Sequence, residues 1–132
     1  MTNEAGTAQA KILVGEDNPI NTLVLKKMLE KMGHHVTVAD DGKEVIEAAL
    51  RESFDFIFMD IHMPVINGLD AARAIKERSA PGKCPRIVAV TANALKGDRE
   101  KCLAAGMDDY VSKPVKRDVI SHILGQYMGK AV

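Results

Sequence analysis

The sequence predicts an α/β fold in which a doubly wound parallel sheet, with strand order 2-1-3-4-5, carries helices on both faces. Short apolar runs alternate five times with segments of helical periodicity along the 132 residues, a length that suits a single domain. The runs that end at Glu16, Asp60 and Thr91 are apolar throughout, which indicates strands buried on both faces in the middle of the sheet. The run 35–38 alternates and the run 109–112 is short, so we expect both at the edges.

Cap and turn residues set the boundaries of these elements. Asn18 followed by Pro19 is typical of a helix N-cap and first helical position, and Asp41 with Glu44 has the spacing of a capping box. We predict strands at 11–15, 35–38, 54–59, 86–90 and 109–112, and helices at 19–32, 41–50, 68–79, 98–105 and 116–128. Residues expected to face inward on the second and fifth helices are Val45, Ile46, Ala49, Leu50, Val119, Ile120, Ile123, Leu124 and Tyr127.

Composition excludes several classes of protein. Residues 1–10 are polar and aperiodic, so we predict a flexible N-terminal tail or linker before one domain spanning 11–129. Lys plus Arg and Asp plus Glu both number 18, a balance that gives no basic surface for direct nucleic-acid binding. No apolar run reaches the roughly 20 residues of a membrane span, and no secretory signal is present. Cys84 and Cys102 are expected to be reduced thiols of a cytoplasmic protein.

Charged and hydroxyl side chains follow four of the predicted strands. Glu16 and Asp17 follow the first strand, Asp60 the third, Thr91 the fourth and Lys113 the fifth. Each has an ordinary explanation alone, such as acids that favour the N-terminus of a helix. Because the carboxyl ends of parallel strands share one edge, and the winding reverses between strands one and three, we expect these side chains to meet in a ligand crevice there.

The charges of this group predict a divalent cation. Three carboxylates and one ammonium group sum to −2. Like charges about 4 Å apart repel by roughly 4 kcal/mol at an effective dielectric constant near 20, so the group needs a cation or a shared proton. Hard oxygen ligands without His or Cys favour Mg²⁺, or Mn²⁺ in its place, over zinc, and one such ion would bring the sum to zero.

The motifs at these strand ends resemble the receiver domain of two-component response regulators. The segments that carry the resemblance are Glu16-Asp17, Asp60-Ile-His-Met-Pro-Val-Ile-Asn-Gly68, Val90-Thr91-Ala92 and Lys113-Pro114. The resemblance runs from about residue 11 to residue 128, and segments 91–98 and 106–114 look most like receivers of hybrid histidine kinases. It implies a Mg²⁺-dependent phosphorelay receiver whose phosphoryl donor is a phosphohistidine on a histidine kinase or histidine phosphotransfer domain.

The resemblance also implies the metal ligands and the acceptor. Asp60 matches the phosphate-accepting aspartate. Asp17, Asp60 and the backbone carbonyl of His62 would bind Mg²⁺. Glu16 stands where many members have Asp, so the longer side chain could contact the metal through water.

Further residues match switch positions of the family. Lys113 would contact the phosphoryl group, Thr91 would supply the switch hydroxyl, and Tyr110 would be the aromatic switch residue. The surface of the fourth helix, fifth strand and fifth helix would report phosphorylation, and the Lys113-Pro114 peptide bond would be cis. Such a domain assists its own phosphorylation and dephosphorylation but is not a conventional enzyme.

Four alternative functions compete with this interpretation. An aspartate-nucleophile phosphatase would need a second aspartate two residues after Asp60, where His62 stands. A phosphorylation-independent interaction module would be indicated by an incomplete acidic site. A DNA-binding regulator would need a basic surface or a further domain after the fifth helix. A flavin-binding protein would need a phosphate loop where Glu16 and Asp17 would repel the phosphate.

Overall fold

The computed structural model describes residues 9–92 and 96–128, in which five strands alternate with five helices. The strands and helices are β1 Lys11–Gly15, α1 Pro19–Lys31, β2 His35–Ala39, α2 Gly42–Arg51, β3 Phe56–Asp60, α3 Gly68–Arg78, β4 Arg86–Thr91, α4 Lys96–Ala104, β5 Asp109–Ser112 and α5 Arg117–Met128. Among these helices, none combines the length and apolar character that a bilayer crossing needs. Residues 1–8 of the predicted tail, and residue 129 at the end of the predicted domain, lie outside the described residues.

The five strands form one parallel sheet in the order β2-β1-β3-β4-β5, which confirms the prediction. Asp60 at the end of β3 pairs with Val90, and Thr91 at the end of β4 pairs with Ser112. The carboxyl ends of the neighbouring strands are therefore level with one another at a single edge. This register brings together residues that are far apart in the sequence.

Alternate side chains of β3 enter two separate cores. Ile57 and Met59 pack in the core shared with α2, α3 and α4, whereas Phe56 and Phe58 pack in the core shared with α1 and α5. All five residues of β3 are buried. A strand enclosed on both faces needs apolar side chains on both, which explains why residues 56–59 do not alternate and why the charged residue, Asp60, comes only at the end.

Two helix residues that we expected to face inward are exposed. Leu50 of α2 has 41% of its surface accessible and Val119 of α5 has 42%, so both predictions were wrong. The buried face of α5 consists of Ile120, Ile123 and Leu124. Successive helix residues are about 100° apart, so Val119 is turned away from that narrow face. Residues at the border of an apolar stripe cannot be assigned until the neighbouring elements are known.

Ala10 belongs to the folded domain, although we placed it in the tail. Its surface is 1% accessible, and its backbone N–H donates to Nδ1 of His34 at 3.0 Å. The carbonyl of Ala10 accepts from the backbone N–H of His35 at 2.9 Å. These bonds fix the chain before β1 against the turn between α1 and β2.

Acidification is expected to weaken the contact between Ala10 and His34 and so to destabilise the fold. Burial lowers the pKa of His34 below its ordinary value of 6.5, with Asp55 opposing the shift, and Nδ1 must stay unprotonated to accept from Ala10. At acidic pH the unfolded chain therefore binds more protons than the folded chain. The contribution of His34 to the free energy of unfolding is complete above the pKa of the unfolded chain and is lost as the pH falls below it.

The substitution His34→Asn tests this, because its Oδ1 can accept the same bond without titrating. Urea unfolding between about pH 7 and pH 5 should show a flatter decline of unfolding free energy than in the unsubstituted protein. The control His35→Asn removes the exposed neighbouring histidine and should keep the original slope. Identical slopes for His34→Asn and the unsubstituted protein would contradict the assignment.

Candidate functional site

The structure brings three predicted acids together at the carboxyl edge of the sheet. Oxygen atoms of Glu16, Asp17 and Asp60 all lie within 4.8 Å of one another. Glu16 and Asp60 are buried and Asp17 is exposed, so the cluster opens to solvent on one side. A cation could therefore reach the two buried carboxylates through the side where Asp17 lies.

Lys113 links the two buried acids. Its Nζ lies 2.8 Å from Oδ2 of Asp60 and 3.0 Å from Oε1 of Glu16. The backbone N–H of Lys113 donates to the carbonyl of Thr91 at 2.8 Å, and the Lys113-Pro114 bond is cis, as predicted. β5 therefore delivers an ammonium group into the space between the ends of β1 and β3.

Local backbone bonds hold the acid pair after β1. The N–H of Glu16 donates to the carbonyl of Ala39 at 3.1 Å, extending the pairing of β1 with β2. Oε2 of Glu16 accepts from the N–H of Asn18 at 3.2 Å. The side chain of Asn18 in turn caps α1, as predicted, by accepting from Ile20 and Asn21. The same residue thus begins the helix and orients a site carboxylate.

The loop between β3 and α3 holds the other buried acid. Oδ1 of Asp60 accepts from the N–H of His62 at 2.8 Å, while the His62 side chain is exposed. A Cβ on Gly68 would lie 2.4 Å from the carbonyl oxygen of Asp60, so only glycine lets α3 begin this close to the strand end. Both oxygens of Asp60 therefore have a donor, one from the backbone and one from Lys113.

Thr91 and Tyr110 lie beside this cluster on β4 and β5. Thr91 is buried one residue beyond Val90, the register partner of Asp60. Tyr110 is half-buried, packs against the core shared with α2, α3 and α4, and has Cζ of Arg99 5.5 Å from its ring centroid. Tyr110 therefore lies on the side of the sheet that α4 covers.

Burial and ion pairing act in opposite directions on the titration of this cluster. Burial raises the pKa of Glu16, against the lowering effect of the bond from Lys113. Burial alone would lower the pKa of Lys113, but its hydrogen bonds to Asp60 and Glu16 outweigh this and raise it. Lys113 therefore stays protonated and positively charged. When all three carboxylates are ionised, their negative charge exceeds the single positive charge of Lys113. Three carboxylates without a His or Cys ligand suit Mg²⁺.

Two features of the site gave no signal in the sequence. Val65 has a φ of 69°, a left-handed conformation that β-branched residues rarely adopt, and the N–H of Ile66 donates to the carbonyl of Pro64 at 2.8 Å. The bond from Asn18 to Glu16 was also missed, because Asn18 already had a sufficient explanation as a cap. An unusual backbone angle at valine depends on its surroundings and has no residue-type signature.

Comparison with known proteins identifies relatives of the whole described domain. The family described as "Response regulator receiver domain" matches residues 12–124. A probable histidine kinase of rice is 36% identical, over 91% of this chain and 16% of its own length. The signal transduction histidine-protein kinase BarA of Escherichia coli is 37% identical, over 96% of this chain and 14% of its own. The chain thus spans less than a fifth of the length of these relatives.

Solved structures agree with the family match. The receiver domain of sensor histidine kinase PA1611 from Pseudomonas aeruginosa, crystallised with magnesium in its active-site cleft, is 44% identical. Its TM-score is 0.84, with 92% of this chain and 99% of that chain covered. The receiver domain of Ssk1 of Saccharomyces cerevisiae, solved with the histidine phosphotransfer protein Ypd1, is 29% identical, with a TM-score of 0.83 over 90% and 88%. The strand order, the acid cluster and these matches together show that the chain belongs to the response regulator receiver domain family.

Proposed function

We propose that this domain accepts a phosphoryl group from a phosphohistidine onto Asp60 and passes on the signal by a change of its surface. The observation that carries the proposal is the placement of Asp60, which is buried at the end of β3 between Lys113 and the acid pair. A carboxylate held in a fixed direction beside a cation suits phosphoryl transfer, in which positioning and charge neutralisation supply most of the catalysis.

The proposed reaction exchanges one bond at phosphorus. An oxygen of Asp60 forms a bond to phosphorus as the phosphorus–nitrogen bond to the donor imidazole breaks, and the imidazole leaves with the electron pair. Asp60 becomes an aspartyl phosphate. The backbone N–H of His62 donates to Oδ1 of Asp60 at 2.8 Å and so fixes the orientation of the carboxylate.

Lys113 and Thr91 have separate roles in the proposal. The Nζ of Lys113 already lies 2.8 Å from Asp60, so it can exchange this contact for an oxygen of the incoming phosphoryl group. Thr91 lies at the neighbouring strand end, and we propose that its hydroxyl turns towards the same group. Both contacts exist only when Asp60 is phosphorylated, so they favour a second state of the domain.

We propose that Asp17, Asp60 and the carbonyl of His62 hold Mg²⁺, or Mn²⁺, with Glu16 acting through water. The oxygen atoms of the three acids lie close enough together to serve one ion. When bound, the ion supplies positive charge against the phosphoryl oxygens. The magnesium in the cleft of the PA1611 receiver supports this choice of metal.

The surroundings of Asp60 favour a protein donor. An open cleft of about 670 Å³ beside Asp17 is lined by Leu23, Lys26 and Pro64, among others. Ile20 and Leu23 on the adjoining face of α1 are exposed by 72% and 51%. These two residues are neighbours on the helix, and a contiguous exposed apolar patch is typical of a protein contact. The proposed partner for this surface is a histidine phosphotransfer domain, the kind of protein bound in the Ssk1 complex, or a histidine kinase.

In this role the domain is a signalling switch of the cytoplasm. It is not a conventional enzyme, because Asp60 is consumed in each transfer. In relatives named as hybrid signal transduction histidine kinases, the matching segment is 7% of the length, so the proposal includes membership of a larger kinase chain. An interaction module that works without phosphorylation is the second candidate. It is weakened by the complete set of acids and by the lysine within 3.0 Å of two of them.

Phosphorylation is expected at Asp60 and to depend on a divalent ion. Incubation with Mg²⁺ and acetyl phosphate, followed by intact mass measurement, should show one phosphoryl adduct that chelator prevents. Asp60→Asn should show none. The matched control Asp40→Asn removes an exposed acid of the cleft beside Asp17 and should be labelled like the unsubstituted protein. Labelling of Asp60→Asn, or full labelling in chelator, would refute the proposal.

The surface formed by α4, β5 and α5 is expected to respond to the modification. Beryllofluoride, which stands in for the phosphoryl group at Asp60, should shift the amide resonances of Tyr110 and of α4 as well as those of the acid cluster. The physical reason is that Thr91 turns towards the new group and vacates space beside Tyr110. Asp60→Asn with beryllofluoride is the control. Shifts confined to the acid cluster would rule out the switch while leaving the acceptor role intact.

A further inference from the structure

A backbone contact joins the start of α2 to the loop that carries Asp60. A Cβ on Gly42 would lie 1.8 Å from the carbonyl oxygen of Ile66 and 2.6 Å from its carbonyl carbon. Both atoms belong to the main chain, so no rotation of a side chain could relieve the overlap. The loop between β3 and α3 therefore rests directly on the first turn of α2, and glycine is required for that approach.

The first turn of α2 is itself firmly held. Oδ1 of Asp41 accepts from the N–H of Glu44 at 2.9 Å, and Oε1 of Glu44 accepts from the N–H of Asp40 at 2.9 Å. The first bond caps α2 and the second holds the residue before the cap, so the residues on either side of the contact are fixed. α2 consequently offers the loop a rigid support.

The loop is restricted at three places. It leaves β3 at Asp60, where the N–H of His62 binds the carboxylate at 2.8 Å. In its middle, Val65 has a φ of 69° beside Ile66. It ends at Gly68, against the backbone of Asp60. Such an unfavourable backbone angle persists only where the surroundings hold it, and the contact with Gly42 lies one residue away.

We propose that Gly42 is a positioning residue for the acceptor site. By lacking a side chain it lets the carbonyl of Ile66 lie against α2, and this contact holds the loop where Asp60 and the backbone of His62 can serve one divalent ion. The inference rests on the proposed function, because the ion is the one required there. Gly42 touches neither the ion nor the phosphoryl group and acts only through the loop.

The substitution Gly42→Ala tests the contact. Alanine forms helices better than glycine does, so any loss of Mg²⁺ affinity must come from displacement of the loop and not from a weaker helix. In metal-free protein the amide resonances of His62 and Gly68 should shift, and Mg²⁺ should bind about tenfold more weakly, as is typical when a support of a metal ligand is removed. With acetyl phosphate as donor, the substitution should raise the Mg²⁺ concentration that gives half-maximal labelling. The labelling rate at saturating Mg²⁺ should fall by a smaller factor.

Gly125→Ala is the matched control, because a Cβ there meets nothing within 4 Å. It should leave the metal-free resonances of His62 and the Mg²⁺ affinity unchanged. A folded Gly42→Ala protein with unchanged Mg²⁺ affinity would overturn the inference. If the unsubstituted protein is never phosphorylated, the proposed function fails, whereas the amide shifts and the Mg²⁺ affinity still decide the role of Gly42.

A second pair of variants covers the case in which Gly42→Ala does not fold. Asp41→Ala and Asp41→Ser both remove the charge, but only serine keeps a cap for the N–H of Glu44. If α2 supports the loop, Asp41→Ala should bind Mg²⁺ several-fold more weakly than Asp41→Ser and should shift the amide of His62. Equal affinities in the two variants would overturn the inference.

Discussion

The ion pairs of Lys113 with Glu16 and Asp60 are the interaction on which this site depends. The carboxylates of Glu16 and Asp60, two residues that are 5% and 6% accessible, lie at neighbouring strand ends. Burial, together with the charge of Asp60, raises the pKa of Glu16. The ammonium group bridges them at 3.0 and 2.8 Å. Removing one partner of such a group leaves an uncompensated buried charge, which is far more costly than losing an exposed pair.

The fold makes this concentration of charge possible. Parallel strands end at one edge, so two acids after β1, one at the end of β3 and a lysine after β5 can meet although they come from different parts of the chain. The two apolar cores on either face of β3 hold the strand, and hence Asp60, in a fixed position. One lysine does not balance three acids, and the remaining negative charge is what favours a divalent ion.

Most of the fold and most of the site could be predicted from the sequence. The unbroken apolar run of β3 indicated burial on both faces, and this placed Asp60 at the central edge. The helix faces were less certain: Leu50 and Val119 proved to be exposed because each lies at the border of an apolar stripe. Ala10 was missed because its anchor, His34, comes 24 residues later.

The contacts that tune the site could not be predicted in this way. Gly42 is the first residue of α2, yet it lies against the backbone of Ile66 in another loop. The left-handed angle of Val65 likewise depends on surrounding elements and not on its own residue type. Sequence patterns report strand ends and caps, whereas approaches between backbones of distant segments appear only in the folded chain.

The binding of Mg²⁺ tests the central claim most directly, that the unbalanced charge of the acid cluster is a divalent-ion site. Calorimetric titration of Mg²⁺ should show one site, and Asp17→Asn should weaken it by at least about tenfold, the loss seen even when only a ligand's support is removed. Asp40→Asn makes the same charge change in the same cleft and should bind nearly normally. Equal losses in both variants would show that the ion responds only to general charge, and would contradict the account.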